Sequence, residues 1–150
     1  MTATNWYFNQ LKDQGVRLTE GRELILDILH EYNGHHLTVE ELYMKKKKKN
    51  PSIGMATVYR TVDLLVKLGI AQKFEFGEGK ARYELVPKPE EPGHHHHLIC
   101  NKCKKIINYD DFMEEEKHYL QIVEKGLEER YDFDIDDHKI MFMGECKDCQ

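Results

Sequence analysis

Four cysteines constrain this chain more than any other feature. They fall at Cys100, Cys103, Cys146 and Cys149, a C-x2-C-x42-C-x2-C arrangement in a sequence of 150 residues. A C-x-x-C turn lets two sulfurs reach one ion at about 2.3 Å, and a second such turn completes a tetrahedron. Four thiolates leave no open coordination position, so a zinc held this way is structural, pinning together the two ends of the segment between the turns. The other readings of the cysteines are a thiol redox pair or unconnected buried side chains. Structural disulfides fit poorly, because such pairing in a cytosolic chain points to metal or redox chemistry.

The cysteines all lie in the acidic part of the chain. Residues 1–86 carry 13 basic against 11 acidic side chains and residues 87–150 carry 9 against 16, giving +2 and −7. A basic part joined to an acidic part suggests two jobs in one chain. Pro87, Pro89, Pro92 and Gly93, mixed with charges, read as a hinge. The expected division is a first domain over 1–86, a hinge over 87–93 and a second domain over 94–150. No apolar run of about 18 residues occurs, and the start has neither a basic nor an apolar leader pattern, so the expectation is a cytoplasmic protein without a membrane role.

Helical signals fill the first seventy residues. Residues 6–14 read as a short helix stopped by Gly15, and Thr19 caps a second with Leu24, Ile25, Ile28, Leu29 and Tyr32 as its apolar stripe, ended at Gly34. Thr38 and Glu41 have the T-x-x-E spacing of a capping box, with Val39, Leu42 and Tyr43 on the apolar side of a third helix. The lysines at 45–49 continue it, either as a solvated face or as further contacts to a nucleic-acid backbone. Asn50-Pro51 breaks the chain. Residues 54–68 then form a fourth helix, with Val58, Val62 and Leu65 directed inward and Gly69 as the stop. After Gly69 the period becomes two, so residues 70–76 and 80–86 read as a hairpin around Gly77-Glu78-Gly79.

Helices followed by a hairpin outline a winged helix-turn-helix. Beyond the hinge, strands over 94–100, 105–109 and 133–146 and a helix over 111–131 make a small α/β domain. The fold class expected is therefore α+β.

A histidine tract, His94 to His97, runs directly into Leu98-Ile99-Cys100. Side chains alternate along a strand, so His94 and His96 face one way and His95 and His97 the other, and one strand can serve two metal sites. Imidazoles suit iron(II), zinc, cobalt, nickel and manganese to differing degrees, so spacing does not name the ion. Candidate partners are His35, His36, Glu84, Glu115 and His138. For nucleic acid, the start of the fourth helix offers Ala56 for close approach, Thr57 and Tyr59 for phosphates or thymine methyls, and Arg60 for a base edge or phosphate. Arg17 and Arg22 add contacts to the DNA backbone.

Laid out in this order, the chain resembles the ferric uptake regulator family over nearly its whole length. The most specific matches are Ile53-Gly54-Met55-Ala56-Thr57-Val58-Tyr59-Arg60, His35-His36-Leu37-Thr38-Val39-Glu40-Glu41-Leu42-Tyr43, and His94 to Cys100 leading into Cys103. The resemblance implies a winged-helix DNA-binding domain hinged to an α/β dimerisation domain, and a homodimer that represses iron-acquisition genes at AT-rich inverted repeats when iron(II) is plentiful. It implies a structural zinc on Cys100, Cys103, Cys146 and Cys149. It also implies a regulatory hinge site of His36, Glu84, His95 and His97, filled by Fe2+ or by Zn2+ or Mn2+, and a further site of His94, His96, Glu115 and His138. One departure is Asn108, which stands where many relatives carry a carboxylate ligand of the hinge site.

Zinc-uptake and peroxide sensors share this architecture. Peroxide sensors tend to carry Asp in place of Glu84 and of Asn108, which argues against that reading. From a different class, the histidines with Glu suit a hydrolytic metal site and the C-x-x-C pairs a thiol oxidoreductase. Neither an H-E-x-x-H helix nor a βαβ setting for C-x-x-C is present, so no enzyme activity is expected.

Overall fold

The computed structural model describes residues 4–88 and 96–150. The chain divides into two compact units, Met1–Gly93 and His94–Gln150. The first contains α1 (Thr4–Asp13), α2 (Glu20–Glu31), β1 (Leu37–Thr38), α3 (Val39–Lys49), α4 (Met55–Lys67), β2 (Ala71–Glu75) and β3 (Ala81–Leu85). Helices α2 and α3 start where side chains satisfy the first backbone amides. Thr19 Oγ1 accepts from Arg22 N, and Thr38 with Glu41 forms a complete capping box. The core draws on all four helices and the sheet: Leu11, Leu26, Ile28, Leu42, Val58, Val62, Leu65 and Leu85 are each 0–1% exposed.

The hairpin of β2 and β3 is joined by β1 in a three-stranded sheet of order β1-β3-β2. Two residues are too few to show a period, which is why β1 is invisible in the sequence. Its consequence is large, because the register Leu37↔Tyr83 and Thr38↔Arg82 draws the loop before α3 onto the hairpin. Gly77 and Gly79 take positive φ of 77° and 74° at the turn between β2 and β3, a conformation that suits glycine.

The lysine run is not uniformly solvated. Val39, Leu42 and Lys46 are the buried residues of α3, and Lys46 is 0% exposed with its Nζ 4.7 Å from the centre of the Tyr43 ring. Lys46 lies four residues beyond Leu42 and so on the same face, where its stem fills the core. Lys45 lies over Tyr32 and Lys49 pairs with Glu31 at 2.6 Å. The run is thus built into the fold on three of its five positions. Lys46→Leu is expected to stabilise the first unit by about 1–2 kcal/mol, because it removes a buried ammonium while keeping apolar volume. A urea or thermal melt of the variant reads this as a higher midpoint.

The second unit contains β4 (His96–Cys100), β5 (Ile106–Tyr109), α5 (Met113–Tyr131), β6 (Met141–Gly144) and a single 3-10 turn at Lys147–Cys149. Strand order is β5-β4-β6, with β4 antiparallel to β5 and parallel to β6. The long strand expected over 133–146 is realised only at 141–144. Asp132 takes a left-handed conformation, and Ile135 N donates to Glu128 Oε1 rather than to a neighbouring strand. Asp134, Asp136 and Asp137, residues that strands disfavour, fill the intervening stretch.

This unit has little core of its own. Helix α5 has no buried residue, while Phe142 and Met143 on the sheet and Tyr119 and Ile122 on the helix are 53–67% exposed. An apolar surface of that kind marks an interaction face.

Candidate metal centre and nucleic-acid interface

His36 precedes β1 and Glu84 lies on β3, so the antiparallel register sets them across from each other. His36 Nε2 is 3.2 Å from Glu84 Oε2, and the side chains are 1% and 3% exposed. Two edge-on aromatic contacts fix the imidazole, Phe74 at 4.8 Å and Phe76 at 5.2 Å between ring centroids. Those rings stack on each other at 5.6 Å, as side chains two apart on one strand face can. Burying a carboxylate is costly unless a cation or hydrogen-bond donors offset it. The separation of 3.2 Å is what two ligands of one ion, each about 2.1 Å from it, span. The pair therefore fits a divalent metal.

In the second unit His96 and His97 are adjacent on β4 and both buried, and by alternation they face opposite ways. Across β4 and β5, His97 lies opposite Asn108 and His96 opposite Tyr109. Asn108 offers at most a neutral amide oxygen where a carboxylate would bring charge. His96 Nδ1 is 3.4 Å from Glu116 Oε2, and the Tyr109 hydroxyl donates to Glu116 Oε1 at 2.9 Å. Burial first, and the Glu116 carboxylate second, push the Tyr109 phenol up to about 12, which keeps it a donor. The His138 ring lies 6.2 Å from that of His96, and its Nδ1 is 2.7 Å from Glu124 Oε1.

The carboxylate that the fold places at this cluster is Glu116, where the sequence reading has Glu115. Glu115 is exposed one step around α5, whereas Met113, Glu116, Leu120 and Val123 recur at helical spacing on the partly buried face. That spacing is the signal that finds Glu116, and Glu124 follows it two turns later. His94 and His95 lie outside the described residues. His35 is exposed.

The four cysteines converge as their spacing requires. Among the described residues, the Sγ atoms of Cys100, Cys103, Cys146 and Cys149 all lie within 4.8 Å of one another. Cys103 and Cys146 are 3.7 Å apart, against about 3.8 Å for the edge of a tetrahedron with metal–sulfur bonds of about 2.3 Å. The backbone amides of Cys146 and Cys103 donate to Cys100 Sγ at 3.4 and 3.5 Å, and these bonds lower its thiol to about 6. Cys149 goes the other way, to about 12, because its thiol proton is shared with Cys103 and then with Cys146. Metal binding takes the thiolate form, so loading releases protons. Lys102 braces the two turns, with its Nζ 2.9 Å from both Cys149 O and Glu145 Oε2.

The nucleic-acid candidates gather at the start of α4. Ala56, Tyr59 and Arg60 are exposed, while Thr57 is half-buried and meets α2. A Cβ on Gly21 would lie 3.1 Å from Thr57 Cγ2, so glycine there lets α2 approach α4 closely. Arg22 Nη1 donates to Arg17 O at 2.6 Å, and Asn50 Nδ2 to Glu20 Oε1 at 2.6 Å. The first bond ties Arg22 to Arg17, and the second ties the loop before α4 to the start of α2.

A helix-turn-helix of α3 and α4 flanked by a hairpin wing offers its last helix to a major groove. Metal-type ligands built into the same chain add an ion-binding capacity, and the two together define a metal-binding transcription regulator. The model of the ferric uptake regulator family matches residues 13–143. The chain is 40% identical over 141 residues to the ferric uptake regulation protein of Bacillus subtilis, covering 93% of this chain and 89% of that one. The solved structure of the Helicobacter pylori ferric uptake regulator, described as having three functional metal-binding sites, aligns at TM-score 0.77 and 26% identity, covering 98% of this chain and 93% of that one. A zinc-bound manganese uptake regulator aligns at TM-score 0.68 and 32% identity, covering 93% and 98%. The chain belongs to the ferric uptake regulator family.

Proposed function

We propose that the protein is a homodimeric, iron(II)-dependent repressor of iron-acquisition genes, acting in the cytoplasm on AT-rich inverted repeats. The observation that carries this reading is the buried His36–Glu84 pair, two metal-type ligands on the DNA-binding unit itself. The regulatory ion would take His36 and Glu84 from the first unit and His95 and His97 from the second. One ion would then restrain both units and select the arrangement in which a dimer's two α4 helices reach successive major grooves, roughly 34 Å apart. Moving such an equilibrium from mostly inactive to mostly active takes about 5.5 kcal/mol of metal preference for the active state.

Zinc on Cys100, Cys103, Cys146 and Cys149 would be structural, with Lewis-acid chemistry closed off by the full ligand set. A further ion would take His94, His96, Glu116 and His138. The exposed apolar face of the second unit supports pairing with a second copy, since a 57-residue unit with so little core needs a partner or a metal to hold it. A second reading, zinc sensing, is favoured by Asn108, which leaves the hinge set rich in nitrogen ligands.

Gel-shift titrations with zinc-replete protein and iron(II), manganese(II) or zinc(II) added separately test the proposal. Duplex binding that appears with iron(II) and is reversed by a chelator is expected. Binding that responds to zinc alone would transfer the assignment to zinc sensing, and binding indifferent to every ion would contradict both.

A further inference from the structure

We propose that Arg82 is the positioning residue that carries metal occupancy at His36 and Glu84 to the DNA-facing wing; the inference rests on the regulatory reading above. Arg82 stands two residues before Glu84 on β3, so both side chains project from the same face of the strand. Its guanidinium reaches three places. Nη1 donates to the His36 carbonyl oxygen at 2.8 Å and to Glu41 Oε2 at 3.4 Å. Nε and Nη2 form a two-point pair with Glu78, the second bond at 3.3 Å.

Each anchor has a distinct meaning. His36 is the metal-ligand residue itself, held by its own backbone. Glu41 Oε2 also accepts from Thr38 N at 2.8 Å and so belongs to the capping box that starts α3, the first helix of the DNA-reading pair. Glu78 sits between Gly77 and Gly79 in the wing turn, where two glycines at positive φ leave the backbone little intrinsic stiffness. Arg82 and Glu78 are 17% and 15% exposed, so the pair is screened less than a surface ion pair. The planar fork holds both carboxylate oxygens of Glu78 at fixed angles, which a lysine cannot do.

Phe76 completes the link by packing edge-on against the His36 ring at the base of the same turn. Capturing His36 in a metal bond fixes the loop carrying its carbonyl oxygen, and Arg82 then fixes the wing turn and the adjacent Lys80. Without an ion the anchor moves with the loop. Arg82 thus adds to DNA affinity in the metal-loaded state and little in the metal-free one.

The test compares full-length, zinc-replete wild type with Arg82→Ala, Arg82→Lys and Glu78→Gln. DNA affinity by fluorescence anisotropy is measured with and without saturating manganese(II), and manganese(II) affinity is measured by competition with a chromophoric chelator. Arg82→Ala should lose about tenfold in loaded-state DNA affinity, as expected for a charged hydrogen-bond set, with metal-free affinity within about twofold of wild type. Arg82→Lys should recover part of the loss. Glu78→Gln should reproduce the DNA loss while leaving manganese(II) affinity unchanged.

A purely structural Arg82 would lower both states alike, and that result would overturn the inference. So would an unchanged ratio of loaded to metal-free affinity in Arg82→Ala or, should that variant fail to fold, in Glu78→Gln. A wild type with no metal dependence would sink the regulatory reading, whereas a metal-dependent wild type with unaltered variants sinks only the role of Arg82.

Discussion

Cys100→Ser is expected to unfold residues 94–150 at room temperature and to leave the chain monomeric, with the first unit still folded. A structural zinc contributes about 10–16 kcal/mol to the folding of the segment that binds it, comparable to or larger than the whole stability of an ordinary domain. The second unit cannot absorb that loss, because its helix buries no residue and its sheet shows large apolar side chains to solvent. Cys100 is the most sensitive of the four. It is 4% exposed, and its sulfur accepts two backbone amides that serine's shorter Cβ–O bond cannot meet equally well. The first unit has a separate core around Leu26, Leu42 and Val62 and should keep its helical signal. Circular dichroism with light scattering on the purified variant reads both effects. A folded, dimeric Cys100→Ser protein would exclude a structural metal at the four cysteines.

The second large effect is expected at His36. His36→Ala should remove metal-dependent DNA binding, lowering loaded-state affinity by about 100-fold or more, while the dimer stays intact. The imidazole would supply one of the two metal bonds from the DNA-binding unit, and its loss would leave Glu84 as that unit's single tie to the ion. Alanine also opens a void beside Phe74 and Phe76 and leaves the Glu84 carboxylate without its 3.2 Å partner, so some loss of stability is expected. His36→Gln separates the two effects, since it fills more of the void and offers an amide oxygen. It should melt nearer to wild type yet regain little metal response. Wild-type metal dependence in both variants would remove His36 from the regulatory site.

Local chemistry written in the chain predicts local structure well. Thr19 and Thr38 cap α2 and α3, Gly69 ends α4, and the turn between Gly77 and Gly79 makes the wing, because each depends on residues within four positions of one another. The four-cysteine cluster is also legible, since a C-x-x-C turn presets half of it. What the sequence hides depends on long-range register or helix phase. Strand β1 has two residues, and it alone pairs His36 with Glu84 across 48 positions of chain.

Two adjacent glutamates, Glu115 and Glu116, compete for one position, and only the phase of the partly buried face of α5 separates them. Helix α5 begins after Phe112, which is in a left-handed conformation, and the phase this sets brings Glu116 to within 3.4 Å of His96 Nδ1. Lys46 reads as surface within a lysine run, but its position relative to Leu42 places it in the core. Arg82 looks like an ordinary strand residue until the backbone oxygen of His36 arrives beside it.

If one ion couples the state of the DNA-binding unit to DNA affinity, as proposed, linkage requires that coupling to run both ways. The most direct measurement is the iron(II) affinity of zinc-replete protein determined anaerobically, once free and once on saturating operator DNA. Tighter iron(II) binding on DNA is expected, by the same factor by which iron(II) tightens DNA binding. Equal iron(II) affinities in the two titrations would contradict that coupling.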